Sequence, residues 1–281
     1  MGKVTMPTPG DTSPYPAAPP AYQAPVASSS AGGGAHRYQA IPEADTNPTG
    51  GEDDDLPDDF KYGTTVSQCD VDIRHAFIRK VYSILTAQLL ATTGMGILFM
   101  FNQTVNTWAL QNVWSLYVSA FGSLGALLGL LWKRRSYPAN FVWLSGFTLL
   151  EAYSIGFVVS LYDTTLVLQA LLITLGLFTV LTLFTFQSKF DFSRLGSILF
   201  FALMGVLLVG LVQIFLPFNR TFDLIMAVLT AVIFSGYVLY DTHNIIHRLS
   251  PEEYIVAAVD LYLDIINLFL AILRILSNSR D

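Results

Sequence analysis

Seven runs of about twenty apolar residues, each long enough to cross roughly 30 Å of hydrocarbon at about 1.5 Å per residue, follow one another after Lys80. They fall at about Val81 to Phe101, Val113 to Trp132, Phe141 to Leu161, Leu166 to Phe186, Ile198 to Leu216, Phe222 to Ile246 and Ile255 to Leu276. Inside hydrocarbon every backbone N–H and C=O must be satisfied by the protein itself, which leaves helices and closed barrels. None of the runs alternates at strand period, so a barrel is excluded. With 53% hydrophobic and 13% charged residues, the chain also has too few polar side chains to coat a soluble domain. The sequence predicts an all-α integral membrane protein, a seven-transmembrane-helix bundle.

The chain before these runs has a different character. Ten of the 13 prolines precede Phe60, with Gly, Ser and Ala between them, and no helical or strand period is sustained. Residues 1–70 are therefore expected to be a disordered cytosolic tail, and 71–281 the membrane domain. Much of the acid behind the net charge of −6 lies in one block, EDDDLPDD, and no basic surface for nucleic acid is present. The single cysteine, Cys69, rules out an intrachain disulfide and a cysteine-based metal site. Met6 stands where N-myristoylation wants Ser or Thr, and no apolar core of a signal peptide follows the start. Pro19, Pro20 and Tyr22 form PPAY, a short polyproline II segment of the kind that seats in the aromatic groove of a WW domain. A WW-domain ubiquitin ligase is the expected partner for the tail.

Basic residues in the short loops set an orientation. Arg74, Arg79 and Lys80 precede segment one, Lys133, Arg134 and Arg135 follow segment two, Lys189 and Arg194 follow segment four, and Arg248 follows segment six. The opposite loops carry only Arg220. This puts the N-terminus in the cytosol and, if segment seven spans, the last residues on the far side. Two N-x-T sequons, at Asn102 and Asn219, then lie outside but almost against the membrane, where they are expected to stay mostly unused. Gly122, Gly125, Gly129, Gly146 and Gly156 suit close helix packing.

Against this apolar background the acids of the last two segments stand out. A buried aspartate near the bilayer centre costs roughly 2.5–3.5 kcal/mol on insertion scales, so it calls for a functional reading. Asp241 lies seven residues before Arg248, about 10 Å below the basic end, and Asp264 lies about 15 Å from the same end on the next helix. Antiparallel neighbours can bring the two carboxyls into one site, where they share a proton. Sharing locks the helices; ionising both drives them apart and frees oxygen ligands for a weakly held calcium ion. Asp260, one turn nearer the end, Glu252 at the mouth and Glu151 in segment three are accessory candidates. Ser250-Pro251-Glu252-Glu253 has the pattern of a capping box at a helix start. His243 and His247 share a helix face with no third ligand at useful spacing, and are expected to face water.

The run FSGYVLYDTHNIIHRLSPEEYIVAAVDLYLDIINLFLAILRIL, with GFTLLEAYSIGFVVSLYD and FTFQSKFDFSRLG, resembles the Bax inhibitor motif family, and most of all its lifeguard branch of Golgi anti-apoptotic proteins. The resemblance covers nearly everything after residue 70. It implies a seven-helix bundle with the last helix at its centre, a pH-sensitive calcium leak from an internal store and a role in cell survival. It also implies that Asp241 and Asp264 form the family's latch. In some members an arginine of the second helix contacts that pair; the arginines available here, Arg134 and Arg135, lie at the basic end of segment two.

The expected function is a pH-sensitive calcium leak in the membrane of the Golgi or endoplasmic reticulum, with the vacuole also open, that supports calcium homeostasis and suppresses cell death. No enzyme activity and no cofactor is expected, with calcium as permeant ion; protons, membrane lipids and cell-death regulators complete the expected partners. The alternative is a regulatory scaffold that binds death-pathway or trafficking proteins, with flux secondary. An intramembrane aspartyl protease also uses two buried aspartates, but its GxGD motif is missing.

Overall fold

The structure, a computed structural model, describes residues 65–69, 71–134, 136–216 and 219–280. The PPAY motif, the acidic block and Arg135 lie outside the described residues. Among the described residues there are eight α-helices: α1 (Val71–Phe101), the short α2 (Gln103–Gln111), α3 (Trp114–Lys133), α4 (Ala139–Val159), α5 (Thr164–Gln187), α6 (Leu195–Phe215), α7 (Arg220–His247) and α8 (Tyr254–Arg280). Two single 3₁₀ turns, Val66–Gln68 and Phe192–Arg194, precede α1 and α6. No strand occurs among the described residues. All helices but α2 contribute to seven elements long and apolar enough to cross a membrane.

Helix limits follow from local chemistry. Helix α1 starts ten residues before its apolar run, and its first turns carry Asp72, Arg74, Arg79 and Lys80. Asn102 and Asn219, the two sequon asparagines, are N-caps: their side chains accept from Val105 N–H at 3.2 Å and from Phe222 N–H at 2.9 Å. Asp163 caps α5 in the same way, accepting from Thr165 N–H at 2.8 Å. Ser250 does not begin α8, which starts at Tyr254. Instead residues 250–253 close a turn, in which the Ser250 carbonyl accepts from Glu253 N–H at 2.9 Å and Ser250 N–H donates to Glu253 Oε2 at 3.4 Å. The reciprocal contact of a capping box is thus made one turn ahead of the helix.

Helix α8 is continuous over 27 residues, about 40 Å at 1.5 Å per residue, so it is long enough to span rather than re-enter. It is also the axis of the bundle. Of its most apolar stretch 72% is buried, against 6% for the stretch containing α6. Around it stand α7, α5 and α1; α4 packs on α1 and on α3, and α6 rests on α7. Tyr262, Leu261, Leu268 and Leu273 of α8 are fully buried, and the Tyr262 ring meets Phe147 of α4 edge-on at 5.9 Å. Three of the five glycines picked out for packing do that work. A Cβ on Gly129 would come within 2.6 Å of the Trp143 ring, one on Gly122 within 3.2 Å of Leu150, and one on Gly156 within 3.1 Å of Met95 and Phe99. Gly125 and Gly146 have nothing within 4 Å.

Residues just before α1 belong to this domain rather than to a free tail. Val66 is completely buried, its N–H donates to the Leu249 carbonyl at 2.8 Å, and the Ser67 hydroxyl donates to the His247 carbonyl at 3.0 Å. The 3₁₀ turn therefore docks on the link between α7 and α8.

Candidate functional site: a polar seam between α7 and α8

At 100° per residue, Asp260, Asp264, Asn267, Arg274 and Asn278 fall within one stripe of α8, which Glu253, just before the helix, continues. Asp223, Thr230, Tyr237, Asp241 and Asn244 form a similar stripe on α7. Helices α7 and α8 pack along their length, and charged or amide residues from the two stripes meet near both ends of the contact. Tyr262 projects from the opposite face of α8, towards α1 and α4.

Toward the basic end, Asp241 and Asp264 come together, close enough for each carboxyl to feel the other. Asp264 is 4% exposed, so its carboxyl is held away from water. Asn244 Nδ2 donates weakly to Asp241 Oδ1 at 3.4 Å, whereas Asp264 Oδ2 faces no donor among the described residues. Two carboxylates offer acceptors only, so a hydrogen bond between them requires a proton on one. Asp260 stands one turn on, close enough to feel the charges of Asp241 and Glu253.

Several polar side chains of this half of the bundle are buried together among the described residues. They include the Tyr82 hydroxyl, Thr182 Oγ1, Thr242 Oγ1 and Asn244 Oδ1. Tyr82 of α1 faces Thr182 of α5 and Thr242 of α7, so these hydroxyls line one small polar region behind Asp241. Hydroxyls gathered in this way can bond one another or water inside an otherwise apolar core.

The other sequence candidates are dispersed. Glu252 is exposed in the turn before α8 and makes no hydrogen bond or ion pair among the described residues. Glu253, singled out in the sequence only for capping, lies on the seam, and Arg134 is 3.7 Å from its carboxylate. Arg134 therefore serves Glu253 rather than the aspartate pair. Glu151 lies on the far side of α8, near the Tyr262 hydroxyl. There Tyr262 shares a 2.8 Å hydrogen bond with Thr92, and Gln88 Nε2 donates to Thr148 Oγ1 at 3.1 Å. His247 is exposed as expected, but His243 turns inward, with Nε2 3.6 Å from Asp191 and its ring 4.7 Å from that of His247. Hydrogen bonds from Ser193 hold the Asp191 carboxyl below the usual carboxylate range. No group of three or more His, Cys, Asp or Glu is placed to hold a metal among the described residues.

At the opposite end the seam is closed by unlike charge. Arg274 Nε donates to Asp223 Oδ2 at 2.9 Å and its Nη2 bonds the other carboxylate oxygen. Asn278 Nδ2 also donates to Asp223 Oδ2, at 2.7 Å, and Arg220 Nε donates to the Asn278 carbonyl at 3.0 Å. Sequence reasoning missed this cluster, although the spacing of Arg274 and Asn278 from Asp264 puts them on the acids' stripe. A cavity of about 660 Å³ lies elsewhere: it is an apolar groove between α1 and α5, floored by Ile265, Ile266 and Phe269, and none of the acids lines it.

The sequence pattern of the family described as "Inhibitor of apoptosis-promoting Bax1" matches residues 74–281, which takes in every helix of the bundle. The chain belongs to this Bax inhibitor family. It is similar to Bax inhibitor 1 of Schizosaccharomyces pombe, with 45% identity over 219 residues, 78% of this chain and 82% of that protein. It is similar also to Protein lifeguard 4 of Mus musculus, with 45% identity over 83% of this chain and 97% of that protein. The Golgi anti-apoptotic protein of Vaccinia virus strain Lister is 44% identical over 80% of this chain and 94% of its own length. These alignments span most of this Bax inhibitor family chain and most of each relative.

Proposed function

We propose that this protein is a pH-sensitive calcium leak of an internal membrane, gated by Asp241 and Asp264, through which it supports calcium homeostasis and restrains cell death. The carrying observation is the contact between these two carboxyls at the α7–α8 interface. One shared proton holds α7 to α8 at this level; loss of that proton replaces a hydrogen bond by repulsion between like charges. The clustered hydroxyls of Tyr82, Thr182 and Thr242 then supply polar wall for a hydrated cation. Asp260 and Glu253 continue the acidic face toward the basic end. Two or three carboxylates fall short of the six to eight oxygens calcium takes when tightly held, which suits passage.

The names of the relatives support restraint of cell death and residence in the Golgi, with the endoplasmic reticulum and vacuole as the other membranes considered. The basic loops support a cytosolic N-terminus. The decisive experiment is calcium flux in liposomes as a function of pH. Wild-type flux is expected to be low in acid and to rise as the pair loses its proton, and Asp264→Asn is expected to flatten that dependence. Identical pH profiles for wild type, Asp241→Asn and Asp264→Asn would sink the gating scheme. A scaffold that binds death-pathway or trafficking proteins is the second reading, favoured by names that speak of cell death and not of ions. Rescue of a survival phenotype by the double Asn variant would support the scaffold. Binding of a WW-domain ubiquitin ligase through Pro19, Pro20 and Tyr22 fits either reading.

A further inference from the structure

At the basic end of α1, Arg79, Lys80, Ser83 and Ile84 form one side of a pocket of about 310 Å³ whose other side is Phe141 of α4 and Tyr254 at the start of α8. The pocket sits where the apolar run of α1 begins, at Val81, which is the headgroup level of a bilayer. Both cations are exposed, yet one of them is positioned: Lys80 Nζ lies 5.2 Å from the centre of the Tyr254 ring, within cation–π range. The Tyr254 ring in turn lies 6.5 Å from that of Phe141, so the aromatic wall is continuous.

Neither Arg79 nor Lys80 has a carboxylate within ion-pair distance among the described residues, whereas Arg134 has Glu253 and Arg274 has Asp223. Glu253, next to Tyr254 in the chain, is thus already engaged. The Ser83 hydroxyl is also spent, donating to the Arg79 carbonyl at 2.6 Å. What faces the lipid here is two adjacent positive charges over an aromatic floor.

We infer that this pocket binds the phosphate-bearing headgroup of an anionic membrane lipid. An arginine presents a planar fork that matches a phosphate, a lysine adds a point charge, and basic pockets between helices at a membrane surface suit anionic headgroups. The aromatic wall covers the glycerol and the first methylenes of the lipid. A zwitterionic headgroup brings its own cation against Arg79 and Lys80 and fits poorly. The site is independent of the aspartate pair and stands whether or not the seam conducts.

The test uses the full chain in nanodiscs of phosphatidylcholine alone or mixed with phosphatidylserine, or with a phosphoinositide. Acylation of each lysine by an amine-reactive ester is followed by peptide mass spectrometry, with Lys133, exposed at the same end, as internal reference. Anionic lipid is expected to slow acylation of Lys80 about fivefold or more relative to Lys133, the factor that one well-placed basic contact supplies. Inorganic phosphate in the buffer is expected to leave the ratio unchanged. Arg79→Gln should remove most of the protection and Arg248→Gln should not. Equal slowing at Lys80 and Lys133 would show a diffuse surface potential and overturn the inference, as would equal protection by free phosphate. The wild-type comparison decides the matter even if a variant fails to fold.

Discussion

Arg274 and Asp223 give the sharpest structural test of the seam. Exposed ion pairs contribute about 0.2–1 kcal/mol, and breaking a buried one costs about 3–5 kcal/mol. Here the side chains are 40% and 26% exposed, the arginine engages both carboxylate oxygens, and Asn278 adds a third hydrogen bond. The coupling between the two residues should therefore fall between these limits, at about 1–2 kcal/mol. The single variants should differ. Arg274→Gln leaves Asp223 with Asn278 and with the N-terminal turn of α7, where a negative charge is favourable by about 0.3–1 kcal/mol. Asp223→Asn strands the guanidinium and loses that helix-end charge, so it should cost more. Once Asp223 is neutral, Arg274→Gln should cost little further. Equilibrium unfolding in mixed micelles, followed by tryptophan fluorescence for both singles and the double, measures the coupling as a double-mutant cycle. Additivity within about 0.3 kcal/mol would show that the pair does not join α7 to α8 and would refute the reasoning.

Glycine contacts predict opposite signs for similar substitutions. Gly129→Ala drives a methyl into the Trp143 ring and should destabilise by about 1 kcal/mol, whereas Gly125→Ala and Gly146→Ala meet nothing and should stabilise by about 0.5–1 kcal/mol through helix propensity; the same unfolding assay orders them. The Asp163 cap predicts a pH effect. The Thr165 N–H holds this carboxyl below the usual carboxylate range, so its contribution is present above the unfolded value and is lost as pH falls through the lowered folded one. Hydrogen exchange at the Thr165 amide should therefore exceed the intrinsic acid trend in that window, and in Asp163→Asn, which caps without titrating, it should follow the intrinsic trend throughout.

Hydropathy made the fold legible because length and apolarity are properties of single segments. All seven runs are helices, displaced by a few residues at most ends, and the larger shift at α1 reflects its polar first turns. Whether segment seven spans or re-enters is open in the sequence for a physical reason: acids on a spanning helix are tolerable only if the helix is interior, and interior placement is a tertiary fact. The burial of α8 supplies it. Depth arithmetic located Asp241 and Asp264 together because both lie on one hairpin, where the short link fixes relative height. It could not locate Glu151, since α4 is remote in the chain and its rotation about its own axis is set by packing on α1 and α3. Gln88 and Thr92 were invisible as single polar residues in a long apolar helix. The partners that explain them, Thr148 and Tyr262, are 60 and 170 residues away in the chain.

The stripe of α8 was within reach of sequence reasoning. Asn267, Arg274 and Asn278 follow Asp264 at intervals of 3, 10 and 14 residues, which return to nearly the same face of a helix. Reading the stripe as a unit changes what the acids mean. At one end of the α7–α8 contact an arginine neutralises Asp223; about 27 Å away, 18 residues along α7, two carboxyls meet with no basic side chain paired to either among the described residues. Unlike charges fasten the first end at any pH at which Asp223 is ionised, while under the proposed gating the second end holds only as long as a proton is shared. A helix pair fastened in this way has a fixed end and a releasable end, so under the proposed gating α8 parts from α7 at Asp264 while pivoting near Arg274. Breaking the Asp223–Arg274 pair should then loosen the bundle without removing the pH dependence of flux, and neutralising Asp264 should remove the pH dependence without loosening the far end.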